Sequence, residues 1–254
     1  MTDCVEPRVA QTGCVPPLPL ELVELADWLW CLRTPVVACW AIRDRDGVVL
    51  VDANVIGEGE AIVSALADRL SVPTNAVPIR QVLLTHAHAD HYGSAHEIAK
   101  RTGAELLGPA EEEDAFAGRR PLPPPRLLAY ERPLFERIQP DLLSPPPPVE
   151  LDRKLRPEDP LDWEMGAELL AAPGHTSGQL AVWIPTHHTL IAAGALATHD
   201  GRPIVGVFNV EPDQAAQTAA RLLEELRPSQ LCVAHGAPLT GDLRGRFNAS
   251  ERMP

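Results

Sequence analysis

Thr85-His86-Ala87-His88-Ala89-Asp90-His91 is the stretch whose reading decides the fold. It follows Gln81 to Leu84, a short apolar run that reads as a buried strand, and precedes Gly93 to Arg101, which has helical spacing. Four metal-competent side chains, His86, His88, Asp90 and His91, thus lie within six residues at a strand-to-helix junction. Imidazoles at alternate positions of an extended backbone point the same way. His86 and His88 can therefore address one ion while Asp90 and His91, at the turn, address a second. Imidazole and carboxylate are donors that zinc and similar first-row ions accept. A chance cluster of solvated polar residues would not need so abrupt a strand-to-helix context.

Working outward, Pro35 to Ile42 is apolar and β-branched, Arg43-Asp44-Arg45-Asp46-Gly47 carries an Asp-Gly turn signal, and Val48 to Val51 is a second apolar strand, which together predict a hairpin. Glu58 to Leu70 reads as a helix with Ile62, Val63, Leu66 and Leu70 on one face. Ala104 to Leu107 reads as a strand, and Pro109 to Phe116 as the start of a helix whose Glu111, Glu112, Glu113 and Asp114 favour the positive end of the dipole. Further strands are expected at Glu168 to Ala172, Leu180 to Ile184, Thr189 to Ala193 and Leu231 to Ala234. A helix capped by Asp213 should run to Arg227 with Ala216, Ala219, Ala220, Leu223 and Leu226 buried. Each half supplies strands followed by helices, which suggests two sheets with helices outside them.

The 254 residues suit one sizeable domain with an insertion, and 45% hydrophobic residues can fill its core. Residues 1–20 read as an irregular N-terminal arm, 21–240 as the domain and 241–254 as a flexible polar tail. The insertion is 118–160, where many of the 27 prolines collect and Pro145 to Pro148 predicts polyproline II. A pure linker would not need Leu127, Leu128, Tyr130, Leu134, Phe135 and Ile138, so the insertion is expected to pack beside the active site. The net charge of −13 disfavours nucleic acid, which is bound by clustered Lys and Arg. No signal peptide and no apolar run of membrane-spanning length is visible, so a cytoplasmic protein with no membrane partner is expected. Cys4, Cys14, Cys31, Cys39 and Cys232 are odd in number and lack a Cys-x-x-Cys pair, which favours reduced thiols. Disulfides between Cys31 and Cys39 or between Cys4 and Cys14 are the alternatives. A small-molecule substrate is the expected partner, and a homodimer stays open.

Thr85 to His91 resembles the signature of the metallo-β-lactamase superfamily. Pro173-Gly174-His175-Thr176-Ser177-Gly178 resembles its second ligand motif, Ala234-His235-Gly236 with Pro238 its last, and Val51-Asp52-Ala53 the segment whose Asp sits below the metals. The order and spacing match over roughly residues 30–240. The resemblance implies an α/β fold, a four-layer αββα sandwich of two mixed β-sheets with outer helices. It also implies two ligand sets, His86, His88 and His175 for one metal and Asp90, His91 and His235 for the other. Zinc is the expected ion, one or two per chain, with iron or manganese open.

One position departs from the pattern. The family usually has a Gly-Asp pair after the strand that here ends at Ala193, and its Asp bridges both metals; this chain has Gly194-Ala195. Two divalent ions about 3.5 Å apart repel strongly, and losing a carboxylate raises the net charge of the site by one. One metal is therefore expected to bind well and the second weakly. One sequence does not say whether Ala195 is natural or introduced. His199 and Asp200 could fold back to compensate, though a surface loop is the simpler reading. Asp52 could orient a ligand histidine from behind. Tyr92, Tyr130, Trp28, Trp30, Trp40, Trp183 and Cys232 read first as packing residues.

The expected function is hydrolysis of an ester, lactone, thioester or amide by metal-activated water, with Asp90 orienting the nucleophile or shuttling a proton. Only 19 residues follow His235, which leaves little room for the separate thiol-binding domain of a glyoxalase II-like enzyme. A nuclease is disfavoured by charge, and a secreted β-lactamase by the missing signal peptide. The alternatives are a non-catalytic or weakly active binding protein derived from this fold, and an iron-dependent persulfide oxygenase, a family that normally uses the missing Asp.

Overall fold

The computed structural model describes residues 18–45, 47–142 and 145–249. The first sheet is built by alternation. Strands β1 (Glu21–Ala26), β2 (Leu29–Arg33), β3 (Ala38–Asp44) and β4 (Gly47–Val51) form an antiparallel meander, and β5 (Ile79–Leu83), β6 (Glu105–Pro109) and β7 (Arg153–Leu155) extend it in parallel, in spatial order β1 to β7. Parallel neighbours need crossovers. Here α1 (Gly59–Leu70) links β4 to β5, and α2 (Ala89–Tyr92) with α3 (Ala95–Thr102) links β5 to β6. The second sheet has the order β14-β13-β10-β9-β8, from β8 (Glu168–Ala171), β9 (Leu180–Ile184), β10 (Thr189–Ala193), β13 (Gln230–Val233) and β14 (Leu239–Thr240). Helix α6 (Pro212–Leu226) crosses between β10 and its parallel neighbour β13, while β11 (Leu196–His199) and β12 (Arg202–Val205) make a separate hairpin.

Side-chain period then assigns the layers. Val48 and Leu50 of β4 join Ile62, Val63 and Leu66 of α1 and Ile98 of α3 in one buried cluster. Val49 and Val51 join Val182, Ile191 and Cys232 between the sheets. Leu190, Ala192, Leu231 and Val233 pack outward on Ala219, Leu222 and Leu223 of α6. The result is the expected αββα sandwich of two mixed sheets. Among the described residues no helix is long and apolar enough to cross a membrane.

Several local expectations need correction. Strands β1 and β2 were not expected, and the strand placed at Pro35 to Ile42 begins only at Ala38, because Thr34 to Val37 form a turn closed by Thr34 N–H on Val37 O at 2.9 Å. The hairpin of β3 and β4 is present with Asp44 opposite Gly47, while Asp46 lies outside the described residues. The helix expected over 93–101 is present as α3 but starts at Ala95, and the short helix α2 before it, ending at Tyr92, was not expected. The segment 109–116 is a 3-10 turn followed by the short helix α4 (Glu113–Phe116). Asp213 is not the cap of α6, since Glu211 holds that position without a side-chain bond, and the buried face is Ala215, Thr218, Ala219, Leu222 and Leu223. Cys31 and Cys39 are free thiols in different clusters, on opposite faces of the sheet, so they cannot pair; Cys4 and Cys14 lie outside the described residues. Of the expected tail 241–254, Leu243 is buried and Phe247 packs against the cluster that includes α6, while 250–254 lie outside the described residues.

The segment 118–160 carries helix α5 (Arg132–Leu142), and its last part supplies β7 to the first sheet. It docks on the loop after β12. Arg126 N–H donates to Asn209 O at 2.8 Å, and the buried Glu131 carboxylate accepts from Phe208 N–H at 3.0 Å and Leu128 N–H at 2.7 Å. Phe135 meets Phe208 edge to face at 5.2 Å.

Candidate metal centre

The chain leaves β5 at Leu83 and runs through Thr85 to His88 before turning into α2, so the first ligand run sits at the end of a central parallel strand. His175 comes from the loop between β8 and β9, and His235 from the end of β13. The structure brings all six expected side chains together as two sets. In the first, His86, His88 and His175 offer ligand atoms within 4.8 Å of one another; in the second, Asp90, His91 and His235 do the same. His88 Nδ1 lies 3.1 Å from His86 Nε2 and 3.0 Å from His175 Nε2. Asp90 Oδ2 lies 3.3 Å from His235 Nε2 and 3.9 Å from His91 Nε2. The sets adjoin, with the rings of His86 and His91 4.0 Å apart between centroids.

The atoms behind the rings fit this arrangement to a metal. His91 Nδ1–H donates to Asp52 Oδ2 at 2.7 Å, His175 Nδ1–H to Asn209 Oδ1 at 3.2 Å and His235 Nδ1–H to Val36 O at 3.0 Å. His86 Nδ1 faces Thr85 Oγ1 at 3.0 Å, whose own proton goes to Asp52. Each of these acceptors keeps the ring proton on Nδ1 and leaves Nε2 as a lone pair turned inward, as an outer shell does for a metal-binding imidazole. His91 Nε2 is buried and has no hydrogen-bond partner, an orphan that an ion beside it would satisfy.

Electrostatics agree. Burial, with like-charged neighbours, holds His86 and His175 well below the ordinary imidazole range and His88 down to about 4, so all three are neutral at pH 7. Burial alone would raise the Asp90 carboxyl, but His91, His235 and His88 together hold it below the usual carboxylate range. Burial likewise opposes protonation of His91, yet Asp52 and Asp90 raise it above its ordinary value.

Asp52 is the outer partner expected for a ligand histidine. It stands at the end of β4 with φ 65° and accepts from Thr85 N–H, Thr85 O–H and His91 Nδ1–H. His199 and Asp200 pair with each other at 3.5 Å on the β11–β12 turn and join neither set. Tyr92 is buried against Phe116, and Trp30, Trp40, Trp183 and Cys232 are core residues. Ala195 is buried in the apolar cluster under α6. Gly194 is fixed by contact, because a Cβ there would lie 2.6 Å from His175 Nε2.

Sequence reasoning missed two supports. Glu112, read as a dipole-facing acid, is buried; its carboxylate accepts from Ala87 N–H at 2.7 Å, Gly178 N–H at 3.0 Å and Thr176 O–H, tying the first ligand run to the His175 loop. Burial pushes its carboxyl up, against these three donors. Asn209 orients His175 across 34 residues, and no local pattern announces it.

A profile of the metallo-beta-lactamase superfamily matches residues 33–235. A probable metallo-hydrolase of Bacillus subtilis strain 168, YflN, is 26% identical over 212 residues, covering 76% of this chain and 76% of that protein. A hydroxyacylglutathione hydrolase of Rhodobacter capsulatus is 27% identical over 207 residues, covering 81% of this chain but 63% of that protein. Among solved structures, a metallo-beta-lactamase from Pontibacter korlensis superposes with a TM-score of 0.64 at 16% identity, over 90% of this chain and 96% of that one, which is a likeness of fold.

Proposed function

Because the chain belongs to the metallo-β-lactamase superfamily, we propose that it is a metal-dependent hydrolase of an ester, lactone, thioester or amide. The observation that carries this is the convergence of two ligand sets in which His86, His91, His175 and His235 are backed by acceptors on the far nitrogen. On this reading His86, His88 and His175 hold one zinc ion and Asp90, His91 and His235 a second. A divalent ion at such a site acidifies water toward pKa 7 and polarises a carbonyl oxygen. The remaining work falls to the chain. Asp90, ionised and at the edge of the second set, orients the nucleophile and carries its proton. Asp52 and Asn209 fix the rings of His91 and His175. The insertion, docked on Phe208 and Asn209, shapes the pocket beside them.

The likeness to the Rhodobacter hydroxyacylglutathione hydrolase favours a thioester as the first substrate to test. A small molecule fits the net charge of −13 better than nucleic acid does. A second reading, a binding protein with little turnover, is favoured by Ala195, a buried methyl where the family places its bridging carboxylate. Elemental analysis of the parent and of Ala195→Asp, beside assays on thioesters, esters, lactones and amides, separates the two. About one metal in the parent and about two in the variant, with faster turnover, is the expected result. Two metals already in the parent would overturn the charge argument. Bound metal with no turnover on any substrate, in parent and variant alike, would favour the binding protein.

A further inference from the structure

The space over Gly194 is bounded by the edge of the His175 ring and by the Gln179 amide oxygen. A Cβ built there would lie 2.3 Å from His175 Cδ2, 2.6 Å from His175 Nε2 and 3.0 Å from Gln179 Oε1. His175 Nε2 is the nitrogen that meets His88 Nδ1 at 3.0 Å, so this space opens on the first ligand set. Gln179 is 1% exposed. Its Nε2–H donates to Ala192 O at 3.4 Å, which sets the orientation of the amide and turns Oε1 the other way. That oxygen is buried and has no hydrogen-bond partner among the described residues. A buried acceptor without a donor destabilises the fold unless something else satisfies it, and a bound cation is one such thing. Sequence spacing gave no hint of this, because Gln179 belongs to no ligand motif.

We propose that Gln179 Oε1 is an oxygen donor to the metal held by His86, His88 and His175, a neutral substitute at the centre for the carboxylate that Ala195 lacks. The inference rests on the reading of those histidines as a metal site. Amide carbonyls are ordinary oxygen ligands for divalent ions. Being neutral, Gln179 stabilises one ion without lowering the net charge as a bridging carboxylate would, so it favours the first set and leaves the repulsion against a second ion in place. Glycine at 194 is compatible with this arrangement, since a Cβ there would crowd both the His175 ring and Gln179 Oε1.

The test compares the parent with Gln179→Leu and Gln179→Glu by zinc affinity in chelator competition and by unfolding temperature of the metal-free protein. A ligand role predicts opposite movements. Gln179→Leu should bind zinc about tenfold or more weakly, while its metal-free form melts no lower than the parent, since an unpaired buried polar group has been removed. Gln179→Glu should bind zinc more tightly than the parent. Parent-like zinc affinity in Gln179→Leu would overturn the inference and leave the hydrolase reading standing. So would zinc affinity and metal-free melting temperature falling together in both variants, the mark of a structural residue. A parent that binds no zinc, iron or manganese would remove both.

Discussion

The two ligand sets are built on opposite electrostatic plans. His86, His88 and His175 form an uncharged set, His86 and His175 buried and His88 half-buried, in which desolvation keeps the imidazoles neutral. Asp90, His91 and His235 form a set at the rim, where His235 is 32% exposed and Asp90, with Asp52 behind His91, supplies negative charge. Neutral imidazoles bind a cation through ready lone pairs, with no proton to displace. The anionic set offers attraction, but part of its field is screened by water. On the proposed reading, a site of this kind keeps one good half without its bridging carboxylate. The buried half depends least on charge and most on how firmly its loops are held.

Removing ligands one set at a time is the harshest trial of that contrast. His86→Ala should lose zinc affinity by more than the roughly 10–100-fold that an outer-shell substitution costs, and turnover with it. His235→Ala should keep the first ion near parental affinity and lose only the weaker one. Chelator competition on both variants reads this directly. Equal losses would mean that the two sets act as one and that the contrast between them is false.

Acid tests the same contrast with no metal present. The first-set histidines have folded pKa values below the ordinary value, so in the window below about pH 6.5 the unfolded chain takes up protons that the folded one refuses. Stability of the metal-free protein should therefore fall as pH falls through that window, by at most about 1.4 kcal/mol per pH unit for each such group. For His88 the window closes at about 4. His91 has the other sign: its raised pKa contributes stability in full below the unfolded value and loses it as pH rises through the folded one. Melting temperatures against pH should show a shallower acid limb in His88→Gln than in the parent. Identical limbs would remove the claim that the first set is held neutral by burial.

What the chain disclosed in advance follows the range of the interaction. His86 to His91 are legible because strand, turn and helix set their directions within a few residues. Thr189 to Ala193 is legible as a short run buried throughout, and the α1 face because a period of 3.6 survives there. The acidic edge strand β1 carries two glutamates in six residues and is nowhere fully buried, so it lacks an apolar run to read. The α6 face was misplaced because alanine sits at both 215 and 216, and composition cannot say which turns inward. Gln179, Asn209 and Glu112 were invisible as site residues because their partners come from other loops, chosen only when the two sheets pack.

Glu112 gives the finest test of how the buried set is held. Three donors converge on its carboxylate: Ala87 N–H from the first ligand run, and Thr176 O–H and Gly178 N–H from the loop of His175. A carboxylate accepts at both oxygens, whereas glutamine of the same shape has one oxygen and one NH2. Whichever way the amide turns in Glu112→Gln, its NH2 faces a backbone N–H, so one loop is released. The expected cost is about 1–3 kcal/mol of metal-free stability and roughly a tenfold loss of zinc affinity, confined to the first set. Thr176→Val removes one donor and leaves the carboxylate its two backbone bonds, so its loss should be smaller. Weakening of the second set to the same degree would show that Glu112 supports the whole centre, and the division into an inner and an outer half would have to be given up at that residue.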